Sequence, residues 1–404
     1  MQHYGLRWID LRTTEEARQA IAQIGADPMG VVKMADKGIA RALKLERVPL
    51  RLAHILKQEM LSSGGDAAVH REVIVGGVAE TDVLLLGTVR QLRVLADQLR
   101  LQPFGLRDLG EWITRLLHVV DAAPERVLDC RGHLLPLGKR TLIMGILNVT
   151  PDSFSDGGKF VDRESAVLRA RQIVAEGADI LDIGAESTRH GAREITARQE
   201  WERLESILPD LLTKIDIPIS VDTSKAEIAQ QALDLGVHMI NDVWGLQRDA
   251  RLAQLLGKYQ VPVVVMHNQQ EPNYHHLLGD VLSFLRQSIG IAEEHGLTGD
   301  QIIIDPGFGF AKTPAQNLEI MARLTEFKSL GHPILLGASR KSTLGHVLDL
   351  PVEERLEGTL AAHVLGIAAG ADIIRVHDVA AHDRAVRIAD AIVREQRGTH
   401  YAGA

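Results

Sequence analysis

Residues 144–160, MGILNVTPDSFSDGGKF, read in two halves. The first is an apolar run fit for a buried strand. The second, from Asn148 on, is a string of Asn, Thr, Asp, Ser and Gly. A strand that belongs in a core has no local reason to end in so many hydrogen-bonding groups. The remainder of the chain supplies the reason, because the pattern recurs.

From about Arg126 onward, short β-branched runs appear at RTLIMGILNV, DILDIGAE, IPISVDT, HMINDV, VPVVVMH, IIIDPGFG, PILLGAS and DIIRVHD. The intervening segments can hold helices, as in ESAVLRARQIVAEGA, SKAEIAQQALDLGV and LEGTLAAHVLGIAAGA. Continuous rather than alternating apolar runs mark strands buried on both faces, as in parallel sheets. Strand then helix, eight times over roughly 270 residues, predicts an α/β fold, a (β/α)8 TIM barrel. A doubly wound open sheet is the structural alternative. Gly177, Gly236 and Gly370 read as helix C-caps before strands.

Residues before about 125 behave differently. TTEEARQAIAQIG and LRVLADQLRLQPFGLRDLGEWITRLL read as amphipathic helices, and REVIVGGV and DVLLLGT as strands. The expected organisation is a small α+β N-terminal domain over residues 1–125, joined through DAAPERV to a barrel over 126–398, with a tail at 399–404. The N-terminal part carries no phosphate loop, metal-ligand cluster or nucleophile motif, which suits a packing or oligomerisation module.

The 404 residues are 45% hydrophobic, an ordinary globular composition. A formal charge of −8 gives no support to nucleic acid or an anionic membrane as partner, although a local basic pocket could still bind a small anion. The single cysteine, Cys130, rules out an intramolecular disulfide and reads as a small buried filler. The N-terminus, MQHYGLRWIDLRTTEEARQ, shows no basic start followed by an apolar core, and no run approaches the ~20 residues of a membrane helix. A cytoplasmic protein is expected.

In a (β/α)8 barrel the chemistry sits at the C-terminal ends of the strands. The strands end, in order, at Asn148, GAESTRHGA, Asp222, Asn241 in NDV, MHN, DPGFGFAKT, GASRKS and RVHD. Any one of these could be a cap or turn; eight together make a ring of site loops. Asp222, Asn241 and Asp305 offer carboxylates and an amide, and a carboxylate opposite two adjacent N–H groups suits a guanidine-like heterocycle edge such as that of a pterin or guanine. Bonding of these groups to neighbouring backbone is the plainer alternative. Lys341 could donate to a ring carbonyl or nitrogen. Arg375 and His377 alternate with apolar neighbours and should face the barrel mouth, where Asn148 can join them. Arginine, histidine and amide suit a phosphate or diphosphate, with room for a Mg2+ that prefers oxygen ligands. His377 could instead be structural. The helix start at Ser342 is a natural carboxylate site, and the absence of a P-loop argues against ordinary nucleoside-triphosphate chemistry.

GILNVTPDSFSDGG, ESTR, VDTSKAEIA, NDV, DPGFGFAKT, SRKS and RVHD, in that order, closely resemble the dihydropteroate synthase family of folate-pathway enzymes. The match spans roughly residues 130–395. The resemblance implies transfer of the 7,8-dihydropterin-6-ylmethyl group from its diphosphate ester to the amine of p-aminobenzoate. It implies Asp222, Asp305, Lys341, Arg375 and His377 as catalytic residues. Asp222, Asn241, Asp305, Phe310 and Lys341 would hold the pterin. Asn148, Arg375 and His377 would hold the diphosphate, with Mg2+ at Asn148. Phe154, Thr188, Arg189 and Ser342, with Phe310, would frame p-aminobenzoate. The family commonly dimerises through outer barrel helices, so a homodimer is expected. Two positions depart from the family pattern: His190 stands where Pro usually follows the second-loop Arg, and Asn268 ends a strand that commonly finishes MHM. Two alternatives share the barrel, a methyltetrahydrofolate:corrinoid methyltransferase and a non-catalytic pterin-binding paralogue. The SRKS and RVHD pair disfavours the former.

Overall fold

The computed structural model describes residues 4–121, 126–149, 159–186 and 195–394. The chain divides into two compact units, Met1–Pro124 and Glu125–Ala404.

In the first unit, three antiparallel strands, β1 (Ala40–Pro49), β2 (Asp66–Val69) and β3 (Glu80–Thr88), pair in the order β1-β3-β2. β3 alternates strictly: Thr81, Val83 and Leu85 are buried, whereas Leu84 and Leu86 are exposed. One face of the sheet therefore packs on helices, including Leu50–Ser62 and Val89–Leu99, and the other does not. Thr88 opens the latter helix with a capping box, its hydroxyl accepting from Gln91 N while the Gln91 side chain accepts from Thr88 N. REVIVGGV is not a strand. Residues Arg71–Val75 form a 3-10 turn that ends on left-handed Gly76. Only Val73 of that run is buried, while Ile74 and Val75 face solvent, so the β-branched composition has no sheet face to fill. The sequence reading did not include β1 or the helix Leu50–Ser62, although Leu43 and Leu45 alternate with Lys44 and Glu46, and Ala53, Leu56 and Met60 fall on one helical face.

The second unit opens with a hairpin, β4 (Arg126–Cys130) and β5 (His133–Leu137). Its two-residue turn, Arg131–Gly132, has positive φ at both positions, and Asp129 accepts from Gly132 N at 2.7 Å. Eight parallel strands follow: β6 (Leu142–Asn148), β7 (Ile180–Gly184), β8 (Ile219–Asp222), β9 (Met239–Asp242), β10 (Val263–Met266), β11 (Ile302–Asp305), β12 (Leu335–Leu336) and β13 (Ile373–Val376). They pair in the order β11-β10-β9-β8-β7-β6-β13-β12, and a bridge between Ile304 and Ile334 closes the ring between β11 and β12. This is the (β/α)8 barrel expected from the repeated runs.

Alternation along each strand separates two cores. Outward residues such as Ile143, Leu181, Val221, Ile240, Val265, Ile304 and Ile374 pack beneath the surrounding helices. Inward residues Leu142, Ile180, Met239, Val264, Ile303, Leu335 and Ile373 join Leu128, Cys130, Leu135 and Leu137 of the hairpin, which stops the N-terminal end of the barrel. Full burial of each such aliphatic side chain contributes about 1.5–3 kcal/mol. Cys130 is a filler in this floor, its thiol pushed up to about 12 by burial. No helix among the described residues is long and apolar enough to cross a membrane.

Candidate active site

One step above the apolar floor, the same inward face turns polar. Asp182 on β7, Asp222 on β8, Asn241 on β9, Asp305 on β11 and Arg375 on β13 lie in the inward register, at or within two residues of the strand ends. A charged or amide side chain there is solvated only by its neighbours, so it must find partners.

Arg375 is the organiser. It reaches past β6 to donate from Nε to Asp182 Oδ2 at 2.6 Å and from Nη2 to Asp222 Oδ2 at 2.9 Å. Asn241 Nδ2 donates to the same Asp182 oxygen at 3.3 Å. The sequence placed Arg375 in a separate cationic subsite; the structure makes it the link between that subsite and the acids. Asp182 itself was missed. Its signal is a carboxylate inside the apolar run ILDIG, in the inward phase two residues before Gly184. Burial outweighs the pull of Arg375 and raises Asp222 to about 7, with the nearby Asp182 charge pushing the same way. Asp182 Oδ1 and the hydroxyl of Ser220, one inward step below Asp222, are buried without a protein partner among the described residues. Free buried donors and acceptors of this kind suit a site whose remaining hydrogen bonds go to a bound molecule.

Asn148 ends β6 exposed, and its Oδ1 and Asp222 Oδ2 both come within 4 Å of where a Cβ on Gly184 would stand. His377, just past β13, is bound to Ser339: Ser339 Oγ accepts from His377 N at 3.2 Å and lies 2.9 Å from Nδ1. A hydroxyl proton donated to Nδ1 leaves Nε2–H as a donor without a partner among the described residues. Burial, with Arg375, Arg340 and Lys341 nearby, lowers His377 to about 4. His377 thus has both a structural contact and an available ring nitrogen.

The DPGFGFAKT loop explains itself locally. Gly307 (φ +72) and Gly309 (φ +81) take left-handed conformations. A Cβ on Gly307 would lie 2.0 Å from His267 O, and one on Gly309 2.8 Å from Lys341 Cδ. The turn lets Asp305 Oδ1 accept from Gly307 N at 2.7 Å and lets the Lys341 stem lie along Gly309. Lys341 Nζ then stands 3.8 Å from the centroid of the Phe310 ring. Asp305 is raised to about 6, burial exceeding the opposing effects of Gly307 N–H, Lys341, Lys312 and Arg375. Thr313 stops the loop with a capping box on helix Pro314–Ala322. Ser342 opens the helix Ser342–Leu348, with Lys341 at its N-cap.

The structure therefore brings together Asp222, Asn241 and Arg375 through Asp182, joins Asp305 to Lys341 and Phe310 across one loop, and places Asn148 beside Asp222. Phe154, Thr188, Arg189 and His190 lie outside the described residues. Asn268 turns its Oδ1 to its own neighbour, Gln269 N, at 2.9 Å. Among the described residues no group of three or more His, Cys, Asp or Glu side chains forms a metal cage.

Residues 144–377 match the family model described as pterin binding enzyme. The chain is 49% identical over 259 residues to a dihydropteroate synthase of Clostridium beijerinckii, covering 64% of this chain and 96% of that protein. A bifunctional dihydropteroate synthase/dihydropteroate reductase of Helicobacter pylori is 31% identical over 382 residues, covering 92% of this chain and 95% of that one. Among solved structures, a Clostridium difficile dihydropteroate synthase crystallised in the presence of pteroic acid is similar at 50% identity and TM-score 0.63, over 64% of this chain and 98% of that chain. A Xanthomonas albilineans dihydropteroate synthase with 4-aminobenzoic acid is similar at 40% identity and TM-score 0.64, over 67% and 98%.

Proposed function

The chain belongs to the pterin-binding enzyme family and catalyses the dihydropteroate synthase reaction, and from that premise we propose how its own residues carry it out. The C–O bond of the dihydropterin diphosphate breaks with its electron pair going to diphosphate. The exocyclic carbon is left as a cation conjugated with the ring. The p-aminobenzoate amine attacks that carbon and loses a proton, giving dihydropteroate.

Asp222, Asn241, Asp305 and Lys341 bind the pterin, with Phe310 against its ring. Asp222 and Asp305, as carboxylates, stabilise the cation electrostatically. Asn148, Arg375 and the Nε2–H of His377 hold the diphosphate, and Arg375, already fixed by Asp182, keeps the leaving group and Asp222 in register. Phe154, Thr188, Arg189 and Ser342 receive p-aminobenzoate. The observation that carries the assignment is the shared guanidinium between Asp182 and Asp222, which couples an acid pocket to a cationic one inside a single barrel mouth.

Mg2+ fits this donor set. It keeps several waters and takes few protein ligands beside phosphate oxygens, and Asn148 offers one exposed amide oxygen at the strand end. When bound, the ion neutralises diphosphate charge. A homodimer is supported by Leu365, Ile388 and Ile392, exposed on the outer helices Leu356–Ala369 and Val379–Val393. We place the protein in the cytoplasm, where its lone buried thiol stays reduced. Residues 1–125 form a separate module, followed by the barrel to 398 and a tail.

The test is incubation of the purified chain with dihydropterin diphosphate, p-aminobenzoate and Mg2+, following diphosphate and dihydropteroate together. Equimolar products are expected. Pterin binding without either product would overturn the catalytic reading.

A further inference from the structure

Lys312, in the loop that follows β11, is a cation at the rim of the barrel that the reaction, as assigned above, leaves without a role. Its Nζ lies 3.0 Å from His267 Nδ1, 3.0 Å from Gly307 O and 3.2 Å from Phe310 O. Three acceptors around one nitrogen match the three donors of an ammonium. His267 is 1% exposed and kept neutral by burial and by Lys312 itself, so its Nδ1 accepts. The ring is fixed in turn by Phe284, edge-on at 4.9 Å.

The two carbonyls belong to the loop that leaves Asp305. Gly307 also gives its N–H to Asp305 Oδ1, and Phe310 carries the ring beneath Lys341. The same loop is held at Ala311 O by Tyr274 OH (2.9 Å) and at Gly309 N by Asn317 Oδ1 (2.8 Å). Those two contacts are neutral, whereas Lys312 brings a charge to the loop carbonyls. The charged or titratable groups facing Asp305 are Lys341, Lys312 and Arg375, and those facing Lys312 are Asp305, Lys341 and His267.

We infer that Lys312 is a positioning residue of the pterin subsite: it fixes the Gly307–Phe310 loop that aims Asp305 and lends the positive charge that keeps Asp305 a carboxylate. The inference rests on Asp305 acting as proposed above. Burial drives Lys312 down to about 7 and Asp305 up to about 6, so each supports the charge of the other. Removing the ammonium should let Asp305 take up a proton at a higher pH than in the unaltered protein.

The unaltered enzyme is assayed first, and its product formation checks the functional reading separately. Lys312→Met and Lys312→Arg are then compared with it from pH 5 to 9. The readouts are kcat/KM for dihydropterin diphosphate and binding of 6-hydroxymethylpterin, which lacks the leaving group. For Lys312→Met a rise of Asp305 by about one pH unit should move the acid limb of kcat/KM, which Asp222 near 7 sets first, up by a few tenths of a unit and steepen it, with about threefold weaker pterin binding near pH 6.5. Lys312→Arg should restore the position of the limb even where its bulk lowers kcat. A folded Lys312→Met enzyme whose acid limb stays in place, whatever its kcat, overturns the inference. Should Lys312→Met fail to fold, Lys312→Gln decides: it keeps an N–H donor for the loop carbonyls but removes the charge, so the limb should move as for Lys312→Met, and an unmoved limb overturns the inference.

Discussion

Ile180 and Asp182 lie two residues apart on one face of β7. Met239 and Asn241 on β9, Ile303 and Asp305 on β11, and Ile373 and Arg375 on β13 repeat the step. The lower member of each pair belongs to a sealed apolar floor, and the upper to the ring of hydrogen-bonding groups at the mouth. Backbone, direction and neighbours are the same; about two residues of rise separate packing from chemistry. The difference teaches that a barrel divides its labour along the strand axis. The floor is apolar because the β4–β5 hairpin shuts it from water, and the mouth is polar because the strands open there into the loops.

That division can be broken or sharpened by substitution. The largest effect is expected at the mouth: Asp222→Asn should cut kcat/KM about 10²–10³-fold, or roughly 2.7–4 kcal/mol of transition-state stabilisation. Thermal melting should show the variant still folded. Near-normal turnover would remove Asp222 from the mechanism. On the floor, Ile373→Ala should lower unfolding free energy by about 2–5 kcal/mol and leave kcat of the folded enzyme within about twofold. A tenfold loss of kcat at unchanged stability would erase the boundary between the two layers.

Cys130→Ser should cost about 1–3 kcal/mol, since a hydroxyl among Leu128, Leu135 and Leu137 finds no partner in an apolar cluster. Denaturant midpoints would register this, and steady-state turnover should not change. A last signal concerns pH. Burial raises Asp222 to about 7 and Asp305 to about 6 in the folded chain, so the native state binds more protons than the unfolded chain above the ordinary carboxylate value near 4. Stability from these groups should therefore fall as pH rises from about 4 to 7, while activity, which needs the carboxylates, rises. Urea midpoints against pH for the parent and Asp222→Asn would check it; an equal slope in both would deny Asp222 that part.

Much of this was legible in the chain itself. Continuous β-branched runs followed by amphipathic segments dictate a parallel barrel, and the polar residues closing each run fall at the strand ends where Asp222, Asn241, Asp305 and Arg375 stand. Period-2 alternation even assigns the inward face, because it is a property of a single strand. The reading failed where local composition pulled against tertiary demand. REVIVGGV had the residues of a strand but no partner to bury against, and the hairpin at Arg126–Leu137 had no turn signal as strong as Asn-Gly or Asp-Gly. Nor does any local pattern reveal that Arg375 joins Asp182, 193 positions away, to Asp222, 153 positions away. The same holds for Lys312 and His267, 45 positions apart. The sequence by itself determined which residues point inward and at what height. Only closure of the ring decided which of them touch, because a buried charge takes its partner from whatever the barrel places across the mouth, and that neighbour is set by strand order rather than chain order.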